Sequence, residues 1–225
     1  MKLTVIVDNK PGRVRGSWGW SIHVDQGSWN CLFDADSSPE LMEENSRVLG
    51  IDLSRIDFAV LSHNHWDHTG GFSYVARVAP GKPVYTPRDA ESYFRSLGLK
   101  PMVVDESVRV ARNAMVVGPV RAGFIGISEV ALAVDAGGKL VVIVGCSHPG
   151  VDLMCKRALE DMGFDKAYLV IGGFHSPGRR ELDNLAMLTE KIAPAHCSGD
   201  AAREYVRSRY PEKYVDVKSG DEIIV

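Results

Sequence analysis

The chain has 225 residues, of which 45% are hydrophobic and 24% charged, with a formal net charge of -3. That length can bury most of its apolar surface in one domain without staples, and the near-balance of charge argues against nucleic acid or an anionic membrane surface as a partner. No apolar run reaches the roughly 18 residues that span a bilayer, and Lys2 to Val7 leads into Asp8 without a cleavage-site pattern, so a single cytoplasmic domain over residues 1–225 is expected.

The opening residues alternate short strands and turns. Leu3 to Val7, Gly19 to Val24 and Asn30 to Phe33 are rich in β-branched and aromatic residues, and Asn9-Lys10-Pro11-Gly12 and Asp25-Gln26-Gly27-Ser28 separate them, which predicts an antiparallel start. Pro39 to Leu49 reads as a helix capped by Ser38 and closed by Gly50. Asp57 to Leu61 is a strand-length apolar run, and Pro87 to Leu97 a second helix closed by Gly98. Short strands follow over Pro101 to Val104, Ser107 to Val110 and Ala114 to Val117. Glu129 to Val134 and Lys139 to Val144 flank Asp135-Ala136-Gly137-Gly138, a hairpin signal. Val151 to Met162 predicts a helix, Lys166 to Ile171 a strand, Arg179 to Ile192 and Asp200 to Tyr210 two more helices, and Tyr214 to Val217 and Glu222 to Val225 closing strands.

Chemistry concentrates at strand ends. Ser62-His63-Asn64-His65-Trp66-Asp67-His68-Thr69-Gly70-Gly71 follows one strand, and His148, His175 and His196 follow three others. Ligands of α/β sheets gather beyond strand C-termini, so these loops can serve one site. In extended backbone His63 and His65 point to the same side and can grip one ion, while Asp67 and His68 come after the chain turns and can address a neighbouring one. Imidazole and carboxylate suit zinc, manganese or iron. Gly70 and Gly71 are read as permitting a tight turn and Thr69 as its cap. His23, between Ile22 and Val24, carries no ligand spacing and is read as structural. Four cysteines without a C-x-x-C pair indicate reduced thiols; Cys31 and Cys155 read as small core residues.

His63, His65, Asp67 and His68 match the H-x-H-x-D-H motif of the metallo-β-lactamase superfamily, which the sequence resembles. Val7-Asp8-Asn9, Leu32-Phe33-Asp34, Gly145-Cys146-Ser147-His148-Pro149-Gly150, Gly172-Gly173-Phe174-His175 and His196-Cys197-Ser198-Gly199 are similar to the branch that includes the dihydropterin–ribofuranosylaminobenzene phosphate synthase of methanopterin biosynthesis. The blocks run in order from about residue 5 to 200. The resemblance implies an α/β fold, a four-layer αβ/βα sandwich of two mixed β-sheets with outer helices, and two divalent metal ions. It assigns one ion to His63 and His65, with His148 standing in for a mid-chain histidine that Gly123 to Glu129 lacks. It assigns the other to Asp67, His68 and His196. The strand that should end in a bridging aspartate ends in Gly145-Cys146, and Cys146 admits two readings, thiolate ligand or small buried residue. His175 reaches the metals or binds substrate.

Such a pair, zinc first, with Asp67 orienting the attacking water, points to a hydrolase of an ester, amide or phosphoester bond in a small-molecule substrate. The alternative is a transferase that condenses a pterin pyrophosphate with an aminobenzene acceptor, for which Arg13, Arg15, Arg179 and Arg180 are candidate anion contacts and Trp18, Trp20 and Trp29 candidate stacking rings. A third reading is an iron redox module.

Overall fold

The computed structural model describes residues 1–123 and 126–225, so Phe124 and Ile125, within the stretch read as lacking a mid-chain histidine, lie outside the described residues. The chain divides into two compact units, Met1–Asp105 with Lys218–Val225, and Glu106–Val217.

The first unit is built on a seven-stranded sheet in the order β13-β1-β2-β3-β4-β5-β6. Strands β1 (Lys2–Val7), β2 (Ser21–Asp25) and β3 (Asn30–Phe33) pair antiparallel, as their turn-separated pattern predicts. From β3 onward the pairing to β4 (Phe58–Val60), β5 (Pro83–Thr86) and β6 (Lys100–Val103) is parallel. Parallel neighbours need crossovers, and helices supply them: α1 (Pro39–Leu49), α2 (Trp66–Thr69), α3 (Phe72–Val78) and α4 (Glu91–Ser96). The α1 caps are those read from sequence: Ser38 Oγ accepts from the Leu41 N–H at 3.2 Å, and Gly50 closes the helix in the left-handed region at φ 70°. The core under these helices includes Leu32, Leu41, Met42, Leu61, Phe72 and Phe94. The last strand, β13 (Glu222–Ile224), returns to pair with β1. His23 lies in β2, where its Nε2 pairs with Asn30 Oδ1 at 3.2 Å and burial pulls its pKa down.

The second unit follows the same plan, antiparallel strands first and parallel strands after, in a six-stranded sheet ordered β12-β11-β10-β9-β8-β7. Strands β7 (Val108–Ala111), β8 (Ala114–Ala122), β9 (Ile127–Asp135) and β10 (Leu140–Val144) form an antiparallel meander. Strands β10, β11 (Ala167–Gly173) and β12 (Thr189–Ala195) then run parallel, joined by α5 (Val151–Met162) and α6 (Arg179–Leu188). Helix α7 (Gly199–Arg209) follows β12. The expected helix from Arg179 to Ile192 is a correction: it stops at Leu188, and Thr189–Ala195 is strand. Each sheet is therefore mixed and each is flanked by helices. Among the described residues no helix is long and apolar enough to cross a membrane.

Candidate metal centre

In the first unit the chain leaves β4, passes Leu61 and Ser62, and winds into α2, so that His63, Asp67 and His68 are buried. The ring of His63 lies 4.5 Å from that of His65 and 4.3 Å from that of His68, centroid to centroid. Nε2 of His63 and Nδ1 of His65 converge to 3.0 Å. Behind them stands Asp34, fully buried, just past β3 and itself in the left-handed region at φ 54°. Its carboxylate accepts from the Ser62 N–H and Oγ–H and from Nδ1 of His68, each at 2.7 Å.

Those contacts fix the tautomers. A carboxylate only accepts, so the Ser62 hydroxyl proton goes to Asp34, and Ser62 Oγ is left to accept Nδ1–H of His63 at 2.9 Å. His63 and His68 therefore both carry their proton on Nδ1 and keep the Nε2 lone pair for an ion, the arrangement in which a carboxylate behind a histidine fixes its ring and raises its basicity. Asp67 is held from the side by the half-exposed Trp18, whose Nε1–H donates to Oδ2 at 2.9 Å.

In the second unit three neighbouring parallel strands end nearly level, with Val144 opposite Gly172 and Gly173 opposite Ala195. The loops that follow carry Cys146 and His148, His175, and His196 and Cys197. Four non-glycine residues in these loops adopt left-handed backbone, Ser147 at φ 60°, His175 at φ 46°, Ser176 at φ 52° and His196 at φ 45°. Each such position costs on the order of 1–3 kcal/mol unless the surroundings hold it, and such strain clusters at functional sites.

Glu129 of β9 does much of the holding. Fully buried, it accepts from the backbone N–H of Cys146 and Ser147 at 2.7 Å and of His148 at 2.8 Å, and from Nδ1 of His148 at 3.0 Å. His148 thus presents Nε2 for the same reason as His63 and His68. Its ring lies 4.2 Å from that of His175. The thiols of Cys146 and Cys197 approach to 3.2 Å, and the His175 N–H donates to Cys197 Sγ at 3.3 Å. The Cys146 thiol, with His175, pulls the Cys197 thiol down to about 4 against the opposing effect of burial, and the contact with Cys197 pushes His175 up. Cys31 and Cys155 are core residues, and burial raises Cys155 to about 12.

Within each unit the donor chemistry, Nε2 of His63 and His68 with the anchored Asp67 carboxylate in the first and Nε2 of His148 in the second, is of the type that suits a divalent ion such as zinc, manganese or iron. Residues 31–160 match the profile of the metallo-beta-lactamase superfamily. The chain belongs to this superfamily. A protein of Methanocaldococcus jannaschii named 7,8-dihydropterin-6-methyl-4-(beta-D-ribofuranosyl)-aminobenzene-5'-phosphate synthase is 24% identical, the similarity covering 84% of this chain and 82% of that protein. Among solved structures, the metal-dependent hydrolase Tm1679 of the beta-lactamase superfamily superposes with a TM-score of 0.80 at 24% identity, covering 100% of this chain and 99% of that one. The Zn(2+)-bound PqqB of Methylobacterium extorquens superposes at 0.68 with 13% identity over 100% of both chains. Two mixed sheets flanked by helices are the metallo-beta-lactamase fold.

The other residues singled out from sequence are dispersed. Arg15 pairs with Glu44 at 2.9 Å, Arg13 lies 3.5 Å from Glu222, Arg179 lies over the Tyr205 ring at 5.6 Å, and Arg180 is exposed. Trp20 is core, and Trp29 packs on Phe58 at 5.6 Å. Sequence reading missed Ser62 as a bridge, Asp34 and Glu129 as supports, and Cys197 beside Cys146. The signal for Glu129 was present, since a carboxylate inside an otherwise apolar strand is rarely buried without partners.

Proposed function

We propose that this chain is a metal-dependent hydrolase acting on an ester, amide or phosphoester bond of a small molecule. In this reading His63, His65 and His148 hold one divalent ion, and Asp67, His68 and His196 hold a second, zinc being the first choice and manganese or iron compatible. The observation that carries it is the shared tautomer of His63, His68 and His148: each gives its Nδ1 proton to a carboxylate or to a carboxylate-bound hydroxyl and keeps Nε2 for a ligand. A bound ion of this kind lowers the pKa of water toward neutrality and polarises a carbonyl or phosphoryl oxygen. The protein's own part is orientation. Trp18 anchors Asp67 through Oδ2, which orients the carboxylate that in this reading ligates and aligns the attacking water. Asp34 and Glu129 hold the rings against rotation. Structural relatives named as hydrolases support the reaction class.

The second reading, transfer of a pterin from its pyrophosphate to an aminobenzene acceptor, is favoured by the 24% identity to the synthase over most of both chains. The test is a metal-replete panel of phosphodiesters, lactones, thioesters and the pterin pyrophosphate with acceptor, run on wild type and His65→Ala. Turnover of a simple ester or phosphodiester, abolished in His65→Ala together with bound metal, is the expected result. Turnover only when the acceptor is present moves the assignment to transferase, a di-iron spectrum without turnover moves it to the redox module, and a His65→Ala protein with full activity and metal removes the site.

A further inference from the structure

The two-ion reading leaves one group of potential ligands without a task. Cys146, Cys197 and His175 come from the ends of β10, β12 and β11, all in the second unit, and their donor atoms lie within 4.8 Å of one another. Neither Cys197 nor His175 belongs to the six ligands proposed above.

We propose that Cys146, Cys197 and His175 form a thiolate metal position that takes a soft divalent ion, zinc in the resting protein. Three observations point the same way. The first is distance. At a tetrahedral zinc with Zn–S bonds of about 2.3 Å, two sulfurs sit about 3.8 Å apart, so thiols at 3.2 Å need to open by only about 0.6 Å. A disulfide at about 2.05 Å would require them to close by about 1.2 Å, twice the movement. The smaller displacement is the one that admits an ion.

The second is space. A Cβ at Gly173 would lie 2.7 Å from Cys197 Sγ and 2.4 Å from the Gly145 carbonyl oxygen. Absence of a side chain there is what lets the Cys197 sulfur lie against the strand end beside Cys146. The third is support. The His175 N–H donates to Cys197 Sγ at 3.3 Å, the kind of backbone contact that stabilises a metal-bound thiolate, and Glu129 pins the Cys146 backbone from behind. The left-handed turns at His175 and His196 keep both flanking loops in place around the sulfurs.

Sulfur ligands select differently from imidazole and carboxylate. A position with two thiolates favours zinc or another soft ion over magnesium, calcium or manganese. The chain would then discriminate among ions at this position even where the histidine and aspartate ligands accept several. The superfamily pattern read from the sequence calls for a carboxylate where Cys146 stands, and this position gives that replacement a chemical purpose.

The experiment is cobalt substitution of the full-length protein under reducing conditions, read by absorption spectroscopy and by metal content. A sulfur-to-cobalt charge-transfer band in the near ultraviolet arises only from thiolate ligation. It is expected in wild type and in His65→Ala, and it should fall at least twofold in Cys197→Ser, with cobalt content reduced by about one equivalent. Persistence of the band in His65→Ala together with its fall in Cys197→Ser separates this position from the histidine-and-aspartate centre, whose own failure would show as unchanged metal content in His65→Ala. A wild-type protein that binds cobalt without the band overturns the proposal, and that spectrum decides the matter even if the cysteine variant does not fold. An unchanged band in folded Cys197→Ser overturns it as well, as does a wild-type mass two hydrogens short with Cys146 linked to Cys197.

Discussion

Glu129 sits in a strand whose following residues, Val130 to Val134, are all buried and apolar, and of the strand's two carboxylates, Glu129 and Asp135, it is the fully buried one. Each of its oxygens accepts two N–H groups: Oε1 those of Cys146 and Ser147, Oε2 the backbone and ring N–H of His148. Glutamine has the same shape but one oxygen, so in Glu129→Gln two buried donors would face an NH2 group. Leaving a buried donor without an acceptor costs about 1–3 kcal/mol, so the pair costs about 2–6 kcal/mol out of a total stability on the order of 5–15 kcal/mol. The His148 ring also loses its fixed orientation, which lowers zinc affinity about 10–100-fold. Urea denaturation and competition titration with a chromophoric chelator measure the two effects, and an affinity within twofold of wild type would exclude Glu129 as the support of His148. At this scale the sequence pointed to the proposed ligands but not to their supports. His63, His65, Asp67 and His68 stand out by local spacing, whereas Asp34 meets His68 across 34 positions and Glu129 meets His148 across 19. Long-range hydrogen bonds of that kind leave no local pattern.

The two glycines that close the histidine turn show how an element can be read correctly for an incorrect reason. Sequence reading assigned Gly70 and Gly71 to a turn that needs glycine's backbone freedom, but both lie in ordinary right-handed backbone, Gly70 at φ -56° and Gly71 at φ -72°. Their requirement is space. A Cβ at Gly70 would lie 2.1 Å from the Ser37 carbonyl oxygen, and one at Gly71 would lie 2.0 Å from that of Ala35. Thr69 does not cap the turn either; its hydroxyl donates back to the His65 carbonyl at 3.0 Å. Gly163 is the converse case, left-handed at φ 72° with open space around it. Gly70→Ala must therefore push backbone against backbone beside Asp67 and His68, at a cost of about 1–3 kcal/mol or more, with loss of turnover. Gly163→Ala meets only the conformational penalty, about 1–2 kcal/mol, and keeps activity. Thermal melting and turnover of the two variants side by side test this, and a Gly70→Ala protein indistinguishable from wild type would sink the close-packing argument. The misread end of α6 has a comparable origin. Leu182, Leu185, Ala186 and Ile192 keep a helical period, but residues 189–195 instead pair with β11, Leu169 opposite Lys191 and Ile171 opposite Ala193. Tertiary pairing outweighs a local period that short. The helices with clear caps, α1 and α5, were legible because their stop signals are local.

Each unit places its proposed histidine ligands after parallel strands, an arrangement that an unfolded chain does not hold. Metal binding under the proposed function is therefore linked to folding: an ion that binds only the native state stabilises it by RT ln(1 + [L]/Kd), about 4 kcal/mol when free metal stands a thousandfold above Kd. For a protein of this length each kcal/mol moves the melting temperature by roughly 2–4 °C, so stripping one such ion should lower it by about 8–16 °C. Differential scanning calorimetry after exhaustive chelation, followed by zinc add-back, is the measurement. The melting temperature should climb with the logarithm of free zinc and return to its starting value. His65→Ala should begin near the chelated value and respond less to zinc. Asp34→Ala provides an internal check of the sign, because it removes the acceptor for His68 and Ser62 and should both lower the metal-free melting temperature and flatten the zinc response. A wild-type protein that melts at one temperature with and without metal would mean that the ligands do not bind an ion in the folded state, and the hydrolase reading would fall with it.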